Sequence, residues 1–181
     1  MKVLLITGNK EKAKYFSKYL DMDIEHKDID LNEIQSLDLK EIIKHKAIEA
    51  YRIVKKPILV EDISLEFKAL GRLPGPFIKF FVKELSLQEI CDLVNGKSRE
   101  ATVKCAIGYY DGEKLQIFEG KLEGRIAESP GKDNNFDWDR IFIPNGYEIP
   151  RSEFKEEDYK ETYLKIRRLD LVKKYLEENS N

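Results

Sequence analysis

A pair of short apolar runs, each ending at once in polar residues, constrains this chain more than any other feature. Val3, Leu4, Leu5 and Ile6 give way to Thr7-Gly8-Asn9, and Ile58, Leu59 and Val60 give way to Glu61-Asp62. A strand that is apolar at every position has both faces covered, as in the middle of a sheet flanked by helices. Helical patterns do stand beside these runs. Tyr15, Phe16, Tyr19 and Leu20 follow the first; Leu39, Ile42, Ile43, Ala47, Ala50, Ile53 and Val54 precede the second, opened by a capping box of Asp38 and Glu41. The opening is therefore strand, turn, helix, with a short strand at residues 22–29 and a loop at 31–37 before the second helix. Further along, Asp111-Gly112 separates strand-like residues 101–110 from 114–126, which predicts a long antiparallel hairpin. Gly and Pro at 71–76 mark a loop, Phe77, Ile78, Phe80 and Phe81 a short aromatic helix, and Ser86 with Glu89 the cap of another. From about Asp158, the spacing of Tyr159, Tyr163, Ile166, Val172 and Tyr175 predicts one charged helix.

These elements predict an α/β fold: a mixed central sheet with flanking helices, parallel in its β-α units and antiparallel at the hairpin, with two lobes around a cleft. At 181 residues, 41% hydrophobic, the chain is read as a single domain over 1–181 with a full core. Lys and Arg number 32 against 34 Asp and Glu, so no global field draws a nucleic-acid polymer or a membrane. An anionic ligand has to be met by a local pocket. The apolar stretches are too short to span a bilayer and the N-terminus lacks a signal-peptide core, giving the expectation of a cytoplasmic protein. Cys91 and Cys105, without a C-x-x-C, are expected as buried free thiols. His26 and His45 lack metal-ligand spacing and are expected at the surface.

Ligands of open α/β sheets bind beyond the carboxyl ends of strands, where Thr7, Gly8, Asn9 and Glu61-Asp62 fall. Backbone N–H groups of the turn and the following helix N-terminus offer a phosphate site to which Lys12 adds charge; a Gly-Asn turn with surface lysines gives the same pattern. Two adjacent acids closing an apolar strand suit a hard cation or a general base, with helix capping or a loop salt bridge as the structural alternative. Glu33, in the loop before the long helix, can supply the second carboxylate for a Mg²⁺ held mainly by triphosphate oxygens, or be a surface acid. Lys46 lies on the apolar side of its helix, so it snorkels or meets an anion. Phe136-Asp137-Trp138-Asp139 sets two rings among acids, which suits a stacked planar base or a hydrophobic plug.

Together these residues resemble the Ham1, or inosine triphosphatase, family. T-G-N-x-x-K is matched by Thr7, Gly8, Asn9 and Lys12, and D-L-x-E-x-Q by Asp30, Leu31, Glu33 and Gln35. Lys46 matches the family's helix lysine. V-E-D is matched by Val60, Glu61 and Asp62, and A-L-G-x-L-P-G-P-[FY]-I-K by Ala69, Leu70, Gly71 and residues 73–79. The resemblance implies Mg²⁺-dependent hydrolysis of deaminated purine nucleoside triphosphates (ITP, dITP, XTP) to monophosphate and pyrophosphate by a homodimer. It gives the triphosphate to Thr7, Gly8, Asn9, Lys12 and Lys46, and the metal to Glu33 and Asp62. Asp62 is also its base for water, and Phe136, Trp138, Asp139 and Arg167 hold the purine. The chain departs from the pattern in places. F-G-[FYW]-D-P carries Asp137 and Arg140 in place of Gly and Pro, and K-N-x-x-S-H-R carries Glu161, Lys165 and Ile166, keeping only Arg167. Ile63 stands where a small hydroxyl residue follows Asp62. These departures bear on the base rather than the reaction, so a nucleotide pyrophosphatase with altered base preference and a nucleotide-binding protein without turnover remain as alternatives.

Overall fold

The computed structural model describes residues 3–133 and 136–179. Its elements are β1 (Leu4–Ile6), α1 (Lys10–Leu20), β2 (Glu25–Lys27), α2 (Leu39–Val54), β3 (Ile58–Phe67), β4 (Pro74–Gly75), α3 (Ile78–Glu84), α4 (Leu87–Asp92), β5 (Glu100–Tyr110), β6 (Leu115–Ile126), β7 (Phe142–Pro144), α5 (Glu156–Arg167) and α6 (Leu169–Glu178). The strands form one sheet in the order β2-β1-β3-β5-β6-β7, with β4 on β3. β1 pairs parallel with β2 and β3, whereas β3–β4 and β6–β7 are antiparallel. The sheet is therefore mixed, as the sequence predicts. The chain packs as two compact units: Met1–Asp62, Cys105–Gly120 and Arg167–Asn181 in the first, Ile63–Lys104 and Lys121–Ile166 in the second.

In the first unit, α2 lays Leu39, Ile42, Ile43, Ala47 and Ala50 against Ile6, Ile58, Val60 and Ala106. Two alanines on that stripe let the helix backbone approach the strands closely. The approach extends to Gly108 on β5, where an added Cβ would run into the Ile43 side chain and lie 3.3 Å from Val60. Ile53, expected on this face, is exposed. At roughly 100° per residue it still falls within the stripe, about 20° from Ile42, but it lies in the last turn of α2, next to the helix end at Val54. Asp38 caps α2 by accepting from the Lys40 N–H, but the expected box is not closed, because the Glu41 carboxylate accepts from Ser36 Oγ at 2.7 Å instead.

Three further expectations change. The strand expected to end at Val60 runs on to Phe67, because Leu65 and Glu66 find a new partner in β4. Glu61 and Asp62 thus lie inside a strand rather than beyond it. The strand expected at 22–29 shrinks to Glu25–Lys27, an exposed edge. The single C-terminal helix is two: Arg168 adopts a left-handed conformation (φ 49°, ψ 43°) between α5 and α6, held by a two-pronged bond to Asp170 at 3.1 and 3.0 Å.

The second unit buries Leu65, Phe67, Ile90, Val103, Ile126, Phe142 and Tyr163. The Ser86–Glu89 capping box is present at the start of α4. Cys91 and Cys105 are both buried and free, as expected. Replacing Gly108 by Ala should cost about 1–3 kcal/mol by overpacking the α2–β5 contact. That would lower the thermal midpoint by several degrees, at roughly 2–4 °C per kcal/mol for a chain of this size. An unchanged midpoint in a melting curve would mean the contact relaxes freely.

Candidate active site

β1 ends at Ile6, and the chain turns on side-chain bonds of its own. Thr7 Oγ1 accepts from the Asn9 N–H at 3.1 Å, and Asn9 Oδ1 accepts from the Lys12 N–H at 2.9 Å, which caps α1. A Cβ at Gly8 would fall 2.7–2.8 Å from the carboxylate of the exposed Asp28, which would have to move aside. Thr7, Gly8, Asn9 and Lys12 are therefore gathered as the sequence predicts. What they present to an anion is the first-turn N–H groups and the Lys12 ammonium.

The register Leu4↔Ile58, Leu5↔Leu59, continued two residues, brings Glu61 level with Thr7. Its side chain is 1% exposed, with Lys12 Nζ 3.4 Å from one carboxylate oxygen and Arg167 Nη2 3.2 Å from the other. Burial alone would raise the Glu61 pKa, but Arg167 and then Lys12 outweigh it and hold the carboxyl below its ordinary value. Cys105 is buried nearby, and burial followed by the Glu61 charge pushes its thiol well up, so it is unreactive.

Asp62 is the next residue on the strand and faces the other way. Its Oδ2 lies 2.6 Å from Lys46 Nζ, which also lies 3.0 Å from Glu33 Oε1. Lys46 thus meets anions rather than snorkelling, and the anions are two carboxylates of the protein itself. The loop carrying Glu33 is tied to α2 at both ends. Asn32 donates to Glu49 through Nδ2 (2.7 Å) and its backbone N–H (3.1 Å), and Ser36 donates to Glu41. His45, expected at the surface, is half-buried, with Nδ1 3.7 Å from Glu49.

The two groupings differ in formal charge. Within Lys12, Glu61 and Arg167 two cations face one carboxylate, whereas within Glu33, Lys46 and Asp62 one cation faces two carboxylates. The first suits phosphate. The second, with carboxylate oxygens converging on one point, suits a hard divalent cation.

In the second unit Phe136 and Trp138 are half-buried, while Asp137 is exposed. Asp139 is fully buried, with Arg151 on one oxygen (2.5 Å) and the Tyr159 hydroxyl on the other (2.9 Å). Arg167, expected beside a base, is 2% exposed and belongs to the Glu61 grouping. Ile166 is buried, and Glu161 and Lys165 are exposed. Sequence reasoning left out Asp28, Glu49 and Arg151, placed Glu41 only as a helix cap, and gave Glu61 no role apart from its pairing with Asp62. The first turn and the V-E-D run signalled Glu61; nothing local signals the others, whose partners lie across the fold.

Comparison with known proteins follows this geometry. The Ham1 family model matches residues 3–170. The inosine triphosphate pyrophosphatase of Scheffersomyces stipitis is 35% identical over 190 residues, covering 96% of this chain and 97% of that one. The protein of the same name from Puccinia graminis is 31% identical over 97% of this chain and 96% of its own length. Among solved structures, a HAM1 protein from Coxiella burnetii superposes with a TM-score of 0.79 at 23% identity, covering 98% and 99% of the two chains. A nucleoside-triphosphatase / dITP/XTP pyrophosphatase from Mycobacterium abscessus gives 0.75 at 20% identity, over 95% and 98%. At those identities the structures speak for the fold, and the family model with the full-length relatives speaks for descent: this chain belongs to the Ham1 family.

Proposed function

We propose that the chain hydrolyses deaminated purine nucleoside triphosphates, ITP and dITP with XTP, to monophosphate and pyrophosphate in a Mg²⁺-dependent reaction. The observation that carries this reading is the contrast between two neighbouring groupings, two cations facing one carboxylate in Lys12–Glu61–Arg167 and one cation facing two carboxylates in Glu33–Lys46–Asp62. Its full-length relative from Scheffersomyces stipitis is named an inosine triphosphate pyrophosphatase.

Glu33 and Asp62 fit a magnesium ion: both are carboxylates and both point at one cationic atom, so they would hold an ion that is bound chiefly by the triphosphate. When bound, the ion neutralises phosphate oxygens and favours attack at phosphorus. The chain's own residues do the rest. The loop Thr7, Gly8 and Asn9 and the N-terminus of α1, with Lys12, hold the phosphates; Asp62 takes the proton from water; Lys46 supports the charge developing on the phosphoryl oxygens. Arg167 works through Glu61, keeping that carboxylate ionised and Lys12 in place. The purine is assigned to Phe136 and Trp138. A homodimer acting in the cytoplasm on free nucleotides, not on a polymer or a membrane, belongs to the same reading and rests on the resemblance. Among the described residues no helix is long and apolar enough to cross a membrane.

A second reading, altered base preference, is favoured by Ile166, which carries no hydrogen-bonding group where the family pattern has a His. Pyrophosphate release across ITP, XTP, dITP, GTP and ATP separates the two. The first reading expects ITP and XTP to be cut fastest, and equal rates on ATP would favour the second.

Asp62→Asn should abolish turnover with the thermal midpoint kept; a rate within about threefold of wild type would refute its role. Lys46→Ala should raise KM and lower kcat together, as fits a group that meets both bound nucleotide and developing charge. Arg167→Ala leaves the buried Glu61 short of a partner, a loss of about 3–5 kcal/mol of stability for a buried pair. It should lower kcat/KM for ITP and ATP by similar factors. A selective loss on ITP would return Arg167 to the base.

A further inference from the structure

The second unit buries an ion pair that the phosphate and metal chemistry does not use. Arg151 and Asp139 are each 0% exposed. Arg151 donates from Nη1 to Asp139 Oδ1 at 2.5 Å and from Nε to Thr162 Oγ1 at 2.9 Å, and the Tyr159 hydroxyl donates to the other Asp139 oxygen. The guanidinium lies 4.0 Å from the Tyr159 ring centroid and 5.5 Å from that of Trp138. Its Nη2 is buried without a hydrogen-bond partner among the described residues. Such a pair is a poor source of stability, since apolar residues of the same volume serve a core as well or better. What it does supply is fixed placement of two consecutive residues, Trp138 and Asp139, on a loop that is otherwise one short helical turn.

The loop's other end is pinned as well. Arg140 Nε donates to the Gly131 carbonyl at 3.0 Å, and the Gly131 N–H donates to the Arg140 carbonyl at 2.7 Å. Gly131 itself lies against Pro150, Ser152 and Glu153, within 2.9 Å of where a Cβ would sit. The turn carrying Arg151 is therefore the surface against which the aromatic loop is built.

We propose that Arg151 is the positioning residue for base binding: by clamping Asp139 and lying against Trp138, it presets the ring on which the base stacks. This rests on the assignment of the purine to Phe136 and Trp138. A ring already fixed loses no rotamer freedom when a base stacks on it, so the benefit falls on binding and hence on KM. Arg151 lies outside every family motif quoted above, and its pairing with Asp139 leaves that carboxylate no oxygen without a partner. Donors on the base edge therefore meet an acceptor that is already engaged.

Trp138 is the chain's sole tryptophan, so emission excited selectively from tryptophan reads this loop alone. The test compares wild type, Arg151→Lys, and a double variant of Arg151→Met with Asp139→Asn, which strands no charge. The readouts are kcat and KM for pyrophosphate release from ITP, and Trp138 emission with its quenching by IMP. The double variant should raise KM about tenfold or more with kcat within about threefold, and should weaken IMP quenching; Arg151→Lys should recover part of both. Unchanged KM and emission overturn the proposal. So does a fall in kcat/KM that only tracks the loss of folded protein. If the double variant does not fold, Tyr159→Phe, which removes one bond to Asp139, is judged on the same two readouts. A wild type that releases pyrophosphate from ITP while IMP leaves Trp138 unquenched refutes the platform assignment alone, and the positioning role with it. A wild type that cuts no nucleotide refutes the proposed activity.

Discussion

The buried carboxylate of Glu61 is the constraint on which the first unit's site depends. It draws together three segments distant in sequence: β3, the first turn of α1 through Lys12, and the end of α5 through Arg167. A lone carboxylate at 1% exposure would be protonated or expelled, since desolvation disfavours its charge by several kcal/mol. Two cations keep it ionised, so its position is fixed only when both have arrived. The turn that precedes α1 and the start of α6 therefore cannot drift independently of β3. Arg168, held left-handed immediately after Arg167, redirects the chain at the point where that anchor is made.

Why the two acids must be consecutive follows from strand geometry. Successive side chains on a strand point to opposite faces. Glu61 on one face enters the cationic grouping, and Asp62 on the other meets Lys46 and Glu33. Adjacency places an anion-seeking and a cation-seeking cluster within one residue's rise of each other, about 3.3 Å along the strand. A metal–triphosphate carries both signs at that scale. Had β3 ended at Val60, as its hydropathy suggests, the two acids would lie in a loop and nothing would hold them to opposite sides. Pairing of Leu65 and Glu66 with β4 carries the strand past them.

The readable parts of this chain were those governed by local pattern. Apolar runs located β1 and the start of β3, the helical stripe located α2, and Asp111-Gly112 located the β5–β6 hairpin. Thr7, Asn9 and Lys12 were legible because a cap and its turn involve neighbours within three residues. Lys46 was conspicuous as a charge on an apolar stripe, but its partners were not legible, since Glu33 and Asp62 reach it from a loop and a strand. The break at Arg168 left no trace in the pattern, because the apolar spacing runs on through it and only backbone conformation changes. Glu49 and Arg151 were invisible for a different reason: Glu49 holds Asn32, the neighbour of Glu33, from 17 positions away and Arg151 holds Asp139 from 12, with no composition signal at either end.

The departures from the family pattern acquire a physical reading from where they fall. Asp137 replaces a glycine at an exposed position with negative φ/ψ demands that any residue meets, the residue being inside a single helical turn. Arg140 replaces a proline and takes over the rigidifying task by hydrogen bonds: proline would fix one torsion, whereas the guanidinium fixes the Gly131 carbonyl and lies 3.9 Å from Asp133. Ile166 replaces a hydrogen-bonding residue at a position that is wholly buried, where a polar group without a partner would cost about 1–3 kcal/mol. Each change is thus tolerated by the scaffold at its own site. None of them alters the two charge groupings of the first unit, whereas two of the three lie in the loop that carries Trp138. Of the departures only Ile63 falls on the strand that carries Glu61 and Asp62, and the residues that the proposed reaction uses, Glu33, Lys12, Lys46 and Asp62, stand as the family pattern has them.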